Sequence, residues 1–322
     1  MFTHKDIEYR SIFVVNCIKE RSLRVSNGEL LLEESEEKKT LTKLPFQKIL
    51  ALFVVGHITV TTPLIEKCKK YNVALIVVKP SFRPVFYWAN SAEANYLLRQ
   101  KQYAMDKNDT AIAKVLIANK IENQRQLLAN TRRKDQLTED ALSNCDACLE
   151  SLQDVSEYSS LMGLEGVASK GFFKAYFQDM GWVARRPRTK CDIVNVALDI
   201  GYTMLFNYVE CFVRMFGFDL YVGVFHRLWF KRKSLICDLM EPFRCIIDRC
   251  VRTAFNRGQF TERDFTLLKG EYKLKLEKNA DYTKVFFDAL VDYKIDVFKY
   301  VQTYYRCFMQ GKSVDQYPKF EI

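Results

Sequence analysis

The sequence predicts an α+β protein, with a small N-terminal β-rich domain followed by a larger all-α domain. Up to about residue 90, short runs of apolar and β-branched residues alternate with turn residues, which is typical of strands. After that point glycine and proline become sparse, and apolar residues recur with the 3.6-residue period of helices. We therefore expect domains at residues 1–90 and 91–322.

Several segments of the N-terminal domain have strand character. SIFVVNCI and SLRVSNGELLLEE are each expected to form two strands, with Asn27 and Gly28 in the tight hairpin turn of the second. ILALFVVGHITVTT predicts a strand, a glycine-containing turn and another strand. PLIEKCKKYNV predicts a short helix, and ALIVVKP and PVFYWA two further strands. The result is a small β domain with a helix packed on it.

The second domain opens with amphipathic helices. EANYLLRQKQYAMD and AIAKVLIANKIENQRQLLAN each have one apolar face. DIVNVALDIGYTMLFNYVECFVRMFG is apolar on nearly every side, which predicts a buried central helix. Asp192 is placed to cap its N-terminus.

Composition narrows the class of protein. The chain of 322 residues has 49 basic and 39 acidic residues, a net charge of +10, which favours an anionic partner, nucleic acid before membrane. Apolar runs such as ILALFVVG are too short to span a membrane, and the polar start MFTHKDIEYR is unlike a secretion signal, so we expect a cytoplasmic protein. Ten scattered cysteines fit small core residues in a reducing compartment. The pair Cys145 and Cys148 lacks further zinc ligands nearby and is expected to be structural or incidental.

Glu165 is the most informative residue. In a helix over LMGLEGVASKGFFKAYF it shares a face with Leu161, Ala168, Phe172 and Tyr176. A carboxylate among apolar neighbours is costly unless a cation or strong hydrogen bonds compensate it. The pattern therefore indicates a cation site at this face.

Two other segments offer further ligands. His226 is the last residue of GVFH. SLICDLMEPFR contains Asp238 and Glu241, two like charges at i, i+3 whose repulsion a bound divalent ion would offset. Mg²⁺ and Mn²⁺ prefer carboxylate oxygens, and Mn²⁺ also accepts imidazole. The alternative is that Glu241 pairs with Arg244 while Asp238 faces water, and that His226 is a satisfied core or loop histidine. Pro242 requires a helix start or a kink beside Glu241.

Two basic runs lie close to these acids in the sequence. A phosphodiester backbone needs such neutralising charge, although either run taken alone is better explained as a solvated loop. The runs contain Arg185, Arg186 and Arg188, and Lys231, Arg232 and Lys233.

The predicted buried helix has a polar seam at Asn195, Asp199 and Tyr202. Polar groups on an apolar helix must find partners. These three either orient the metal ligands or hydrogen-bond neighbouring helices, and the sequence leaves both alternatives open.

Four motifs in this order resemble the CRISPR-associated integrase family of the spacer-acquisition machinery, the Cas1 family. They are LEGVASKGFF, RPRTKCDIVNVALDIGYTML, GVFH and SLICDLMEPFR. The N-terminal half agrees through SLRVSNGELLLEE, the FVVGHITVTTPLIEKCKKYNVALIVV run and KIENQ. The resemblance extends over nearly the whole chain.

The resemblance implies a specific chemistry. The family binds a divalent metal, Mg²⁺ or Mn²⁺, through residues that correspond to Glu165, His226 and Glu241, with Asp238 as an auxiliary acid. The helical domain would be the catalytic one, joining short double-stranded DNA fragments to a CRISPR repeat by transesterification. Family members act as homodimers that hold a dimer of the small partner Cas2. The competing functions are a structure-selective DNA nuclease in repair and a non-catalytic DNA-binding scaffold.

Overall fold

The structure of the protein is a computed structural model. It describes residues 3–18, 21–34, 39–89, 92, 94–106, 108–132, 134–187 and 189–322.

The described part of the N-terminal region contains two sheets and two α-helices. Their elements in chain order are α1 (His4–Tyr9), β1 (Ser11–Cys17), β2 (Arg21–Ser26), β3 (Glu29–Glu34), β4 (Thr40–Pro45), β5 (Ile49–Gly56), α2 (Thr62–Tyr71), β6 (Ala74–Val78) and β7 (Pro84–Trp88). One sheet has the order β1-β5-β6-β7, parallel except for β7, and the other has the order β2-β3-β4, antiparallel throughout. The predicted turn at Asn27 and Gly28 is confirmed: both residues have positive φ, and Ser26 pairs with Glu29.

Three local predictions in this region were wrong. SIFVVNCI forms the single strand β1 rather than two. HITVTT forms no strand, because Gly56 (φ 117°) ends β5 and the chain then enters α2, whose first turn contains Pro63. The strand β4 was missed because its sequence, TLTKLP, is mostly exposed and lacks an apolar alternation.

The C-terminal region is helical. Its helices are α3 (Tyr96–Tyr103), α4 (Ala111–Ala129), α5 (Gln136–Ser151), α6 (Tyr158–Tyr176), α7 (Ile193–Arg214), α8 (Ser234–Leu239), α9 (Arg244–Asn256), α10 (Asn279–Val291) and α11 (Lys294–Gln310). The predicted fold class, a strand-rich region followed by a helical one, is confirmed. The helical region is not built of helices alone, because β8 (Phe265–Leu268) and β9 (Glu271–Leu274) form a hairpin. Its turn, Lys269–Gly270, has positive φ at both residues, as a tight hairpin requires.

The helix α7 is the buried centre of this region, as its composition predicted. Asp192 caps it, since its carboxylate accepts a hydrogen bond from the backbone N–H of Asn195 at 2.7 Å. The helix is long and apolar enough to cross a membrane, yet 78% of its most apolar window is buried inside the protein. We therefore interpret it as a core helix.

The strand β5 connects the two regions through packing. Because it is buried along its whole length, its two faces contribute to different cores. Phe53 faces the helical region, where its ring lies 4.8 Å from that of Phe287 on α10, whereas Leu52 and Val54 face the smaller core under α2. The division at residue 90 stays a prediction.

Candidate active site

Glu165 lies in the middle of α6, on the face that the sequence predicted. Leu161, Ala168, Phe172 and Tyr176 on that face are buried, while the Glu165 side chain is 23% exposed. Ser169, one turn further along, donates its hydroxyl hydrogen to Glu165 Oε1 at 2.9 Å. The helix thus presents one carboxylate at the edge of an apolar core.

Glu241 is placed by a break between two helices. The helix α8 ends at Leu239, a 3₁₀ turn spans Glu241–Phe243, and α9 starts at Arg244. Pro242 lies in the first turn of the 3₁₀ segment. A backbone N–H at this position would have no hydrogen-bond partner within the helix, so its absence in proline is tolerated. The Glu241 side chain is only 3% exposed, so its charge requires close cations.

Lys120 on α4 supplies one of those cations. Its ammonium contacts Oε1 of Glu165 and lies 2.7 Å from Oε2 of Glu241, so a single buried cation bridges carboxylates from two distant segments. Arg244 Nε lies 3.0 Å from the same Glu241 oxygen, which confirms the pairing that the sequence left open. Sequence reasoning missed Lys120.

The cations set the ionisation of both carboxyl groups. Burial alone would raise the pKa of Glu241, but Arg244 and Lys120 outweigh it and lower that pKa to about 2. The pKa of Glu165 is likewise lowered, because the Lys120 charge overcomes burial and the repulsion of Glu241. Burial would lower the pKa of Lys120, yet Glu241 and Glu165 together raise it. All three groups are therefore charged at neutral pH.

Asp238 organises the loop that carries His226. It is fully buried, so the alternative that it faces water was wrong. Its two oxygens accept the backbone N–H groups of Val224, Phe225 and His226 at 2.6, 3.1 and 2.8 Å. Its Oδ1 also lies 2.7 Å from Nδ1 of the His226 ring. With the Nδ1 proton directed at Asp238, the lone pair of the neutral imidazole is on Nε2.

The three predicted ligands line one cavity of about 580 Å³. Its lining contains Glu165, Glu241 and His226 together with Lys120, Arg244 and Asp248. Within the described parts of the chain, no three His, Cys, Asp or Glu side chains are already gathered closely enough to hold a metal ion. The ammonium of Lys120 occupies the position between the two carboxylates.

Asp248 is a second residue that the sequence did not reveal. One of its oxygens accepts a hydrogen bond from the Tyr202 hydroxyl at 2.5 Å, and burial raises its pKa to about 7 against the influence of that bond and of Arg244. Its other oxygen, Oδ2, is buried and has no hydrogen-bond partner among the described residues. Asp248 therefore adds a third acidic group to the cavity wall.

The polar seam of α7 holds Arg185 against the helix. Arg185 donates to Asn195 at 2.7 Å and to Asp199 at 2.6 Å, and its guanidinium lies over the Tyr202 ring. The Arg244 guanidinium also lies over the Tyr202 ring, 4.7 Å from the ring centre. The seam thus hydrogen-bonds the preceding segment through Arg185 and the neighbouring helix α9 through Asp248, while a role in orienting metal ligands stays a prediction.

The basic residues fall into two groups, those that form ion pairs with acidic residues and those that are exposed. Arg185 is committed to Asp199, and Lys233 forms an ion pair with the buried Glu210 at 2.6 Å. The Arg186 side chain is exposed. Arg188 lies outside the described residues. Lys231 and Arg232 belong to the loop that directly follows His226.

A signal for Lys120 was present in the sequence. The helix α4 has a buried polar stripe at Asn119, Lys120, Asn123 and Gln124, at i, i+1, i+4 and i+5. Asn119 and Asn123 both donate to the carbonyl of Phe320 near the C-terminus. Such a stripe predicts buried polar partners, but the segment KIENQ alone does not identify two carboxylates some 45 and 121 residues away.

Comparison with known proteins defines the class. A casposase bound to integration product superposes with a TM-score of 0.74 at 17% identity, covering 97% of this chain and 94% of that one. The chain in a Cas6-RT-Cas1–Cas2 complex gives a TM-score of 0.79 at 20% identity, covering 97% of this chain and 36% of that longer one. The fold is therefore the one shared by Cas1 proteins and casposases.

The sequence comparison is more specific. Residues 17–287 match the family model of CRISPR associated protein Cas1. A CRISPR-associated endonuclease Cas1 from Thermodesulfovibrio yellowstonii is 28% identical over 239 residues, which are 69% of this chain and 73% of the relative. The chain belongs to the Cas1 family.

Proposed function

We propose that this protein is a divalent-metal-dependent DNA integrase and endonuclease, which inserts short DNA fragments into a CRISPR array. The observation that carries the proposal is the convergence of Glu165, Glu241 and His226 on one cavity of a Cas1 fold. Three segments separated by 61 and 15 residues along the chain contribute these groups, as their numbers show. Two ionised carboxylates and an imidazole that face one cavity are donors that a divalent cation could bind in place of the Lys120 ammonium.

The donor set fits Mg²⁺ or Mn²⁺. The two carboxylates are held ionised by cations of the protein, and Asp238 leaves Nε2 of His226 with the lone pair that a ligand needs. Such an ion, when bound, would neutralise phosphate charge and stabilise a departing 3′-oxygen. Lys120 would have to withdraw from between the carboxylates, since its ammonium now forms ion pairs with both of them.

The protein's own residues would then align the reaction. In the proposed transesterification, the 3′-hydroxyl oxygen of the incoming fragment forms a bond to a phosphorus atom of the repeat. The bond from that phosphorus to the repeat's 3′-oxygen breaks, the attacking hydroxyl loses its proton to solvent, and the departing 3′-oxygen takes up a proton from solvent. Phosphoryl transfer asks the protein mainly for positioning and charge. Asp238 orients His226, while Arg244 and Tyr202 fix Glu241.

The proposal includes partners. A Cas1 chain is found with Cas2 in one of the structures that share this fold, and we extend that association, together with a homodimer, to this protein. The DNA partner is supported by the net charge of +10 and by the casposase that carries an integration product. Prespacer and repeat DNA would meet at the cavity, and the integration reaction would take place in the cytoplasm.

The decisive experiment is strand joining. Purified protein, with and without Cas2, is incubated with a labelled fragment ending in a 3′-hydroxyl and a plasmid that contains a CRISPR repeat. We expect covalently joined product with Mn²⁺ or Mg²⁺, no product with EDTA, and no product from a 3′-dideoxy fragment. Metal-dependent nicking without joining would favour the structure-selective nuclease instead. DNA binding with neither reaction would favour the non-catalytic scaffold.

Arg186 gives a prediction for DNA binding. Because its side chain is exposed while Arg185 is paired with Asp199, we expect Arg186→Gln to weaken duplex binding without affecting the fold. If Arg186 neutralises one phosphate, its removal should reduce the slope of log affinity against log salt by about 0.9. Fluorescence anisotropy at several salt concentrations measures this slope. Arg263→Gln, an exposed arginine in the 3₁₀ turn Glu262–Asp264, is the matched control; an unchanged slope for Arg186→Gln would show that this arginine meets no phosphate.

A further inference from the structure

Two asparagines of α4 bind residues 320–322 through their side-chain amides. Asn119 and Asn123 are each 1% exposed and lie one turn apart on the helix. The amide of Asn119 donates to the carbonyl of Phe320 and accepts that residue's backbone N–H, both at 2.8 Å. The amide of Asn123 donates to the same carbonyl at 2.9 Å and accepts the backbone N–H of Ile322 at 3.2 Å. We call residues 320–322 the docked segment.

Asn123 makes a third hydrogen bond, to the turn that carries Glu241. Its amide nitrogen donates to the carbonyl of Pro242 at 3.1 Å, and Pro242 directly follows Glu241. Cys245 Sγ also donates to this carbonyl at 3.1 Å. Because an amide nitrogen has two hydrogens, Asn123 can donate to Phe320 and Pro242 at the same time. One side chain therefore connects the docked segment with the Glu241 turn.

The docked segment determines which way the Asn123 amide faces. An asparagine amide has one accepting end and one donating end. Since the Ile322 N–H requires the oxygen, the nitrogen has to face the carbonyls of Phe320 and Pro242. The Phe320 ring adds a contact with the same turn, because its centre lies 4.7 Å from that of the Phe243 ring. Docking and the orientation of the amide are thus one arrangement.

The helix α4 holds the Glu241 turn at two points. Lys120 and Asn123 lie on the same face of the helix at i, i+3. Lys120 contacts the Glu241 carboxylate at 2.7 Å, whereas Asn123 contacts the backbone one residue further on. A divalent cation that enters between the carboxylates would displace the first contact. The second involves neither a charge nor the carboxylate, so it can persist when Lys120 withdraws.

From these contacts we propose that Asn123, with its amide oriented by the docked segment, is a positioning residue that keeps Glu241 in place when a divalent cation takes the position of the Lys120 ammonium. The inference rests on the proposed function for that cation. The alternative is that both asparagines only fasten the docked segment to α4. Asn119 distinguishes the two, because it binds the docked segment with two hydrogen bonds and, among the described residues, makes none to the Glu241 turn.

The affinity for Mn²⁺ gives the first test. Asn123→Ser and Asn119→Ser each shorten a buried amide and leave room for a water molecule, so we expect both to remain folded, which thermal unfolding checks. Electron paramagnetic resonance measures the free Mn²⁺, without DNA. We expect the Kd to rise about tenfold in Asn123→Ser, the order of one buried hydrogen bond, and to stay within about twofold of wild type in Asn119→Ser.

The kinetics of joining separate positioning from a direct part in the reaction. If Asn123 acts through the bound ion, the Mn²⁺ concentration that gives half the maximal joining rate should rise about tenfold in Asn123→Ser. At saturating Mn²⁺ the rate itself should return to within about threefold of wild type. Asn119→Ser should change neither quantity by more than about twofold.

Hydrogen exchange tests the turn without any metal. In EDTA, Lys120→Met reproduces the loss of the lysine contact. Exchange of the backbone amides of residues 240–246 is compared with that of α7, whose buried amides report global unfolding. Relative to α7, Lys120→Met/Asn123→Ser should exchange these amides at least about tenfold faster than Lys120→Met/Asn119→Ser. Lys120→Met alone should keep the wild-type ratio within about threefold, which tests the inference even if Asn123→Ser does not fold.

Five results would overturn the inference. They are an equal loss of Mn²⁺ affinity in the two serine variants, an unchanged affinity in Asn123→Ser, joining by Asn123→Ser that saturating Mn²⁺ does not restore, equal exchange of residues 240–246 in the two double variants, and a loosened turn in Lys120→Met alone. Absence of Mn²⁺ binding by wild type would refute the proposed function. The exchange experiment would still decide whether Asn123 holds the Glu241 turn, so the two failures are distinguishable.

Discussion

Glu165→Gln is expected to abolish metal-dependent strand joining while the protein remains folded. The substitution keeps the size of the side chain and removes the charge that would bind a cation. We expect the joining rate to fall at least about 100-fold, because a metal ion contributes several kcal/mol to such a reaction and each 1.4 kcal/mol is a factor of ten. The measurement is the initial rate of fragment joining at saturating Mn²⁺.

The control for this prediction is Glu150→Gln, the same change at an exposed position of α5. It should leave the joining rate within about twofold of wild type. DNA affinity should persist in Glu165→Gln, since the exposed cations are untouched. Joining by Glu165→Gln at more than a tenth of the wild-type rate would remove this carboxylate from the proposed site.

Lys120→Met is expected to destabilise the metal-free protein by about 3 kcal/mol. Methionine fills similar space but leaves Glu165 and Glu241 without the ammonium that they share. Removing one partner of a buried ion pair is costly because the other charge stays buried without compensation. The estimate is at the low end of the usual range because Arg244 still neutralises Glu241 and Glu165 is partly exposed. Urea denaturation in EDTA measures the free energy of unfolding.

Mn²⁺ should then stabilise Lys120→Met more than it stabilises wild type. In the variant the two carboxylates would bind the ion without first releasing the lysine. Lys284→Met, which removes an exposed ion pair with Asp288 on α10, should change stability by less than about 1 kcal/mol and should not alter the Mn²⁺ effect. An equal Mn²⁺ increment in wild type and Lys120→Met would contradict the idea that lysine and metal share one position.

The sequence predicted much of the fold because its local patterns are unambiguous. Residues close together in the sequence determine three of these features: the burial of α7 on nearly every side, its cap at Asp192 and the Asn27–Gly28 turn. The errors occurred where the local sequence pattern and the strand pairing of the folded chain disagree. HITVTT has strand composition but no neighbouring strand, and β4 pairs with β3 although its own residues are exposed.

The candidate site shows the same division. Glu165, His226, Asp238 and Glu241 could be selected because acids and a histidine stand in apolar or motif-like segments. Lys120 could not, because a lysine in an amphipathic helix is ordinary until the helix is seen to pack against two carboxylates. Likewise Arg185 resembled a DNA contact in the sequence, and only the packed seam of α7 commits it to Asn195 and Asp199.

The sequence by itself determined the two-part architecture, the acidic and imidazole groups available for chemistry and the family to which the chain belongs. The tertiary structure decided how the charges are paired: which cation bridges the carboxylates, and that Asp238 holds the His226 loop. The physical reason is the separation along the chain over which each kind of interaction acts. Hydrophobic periodicity and capping act over a few residues, whereas the compensation of a buried charge depends on groups that folding brings together from distant parts of the chain.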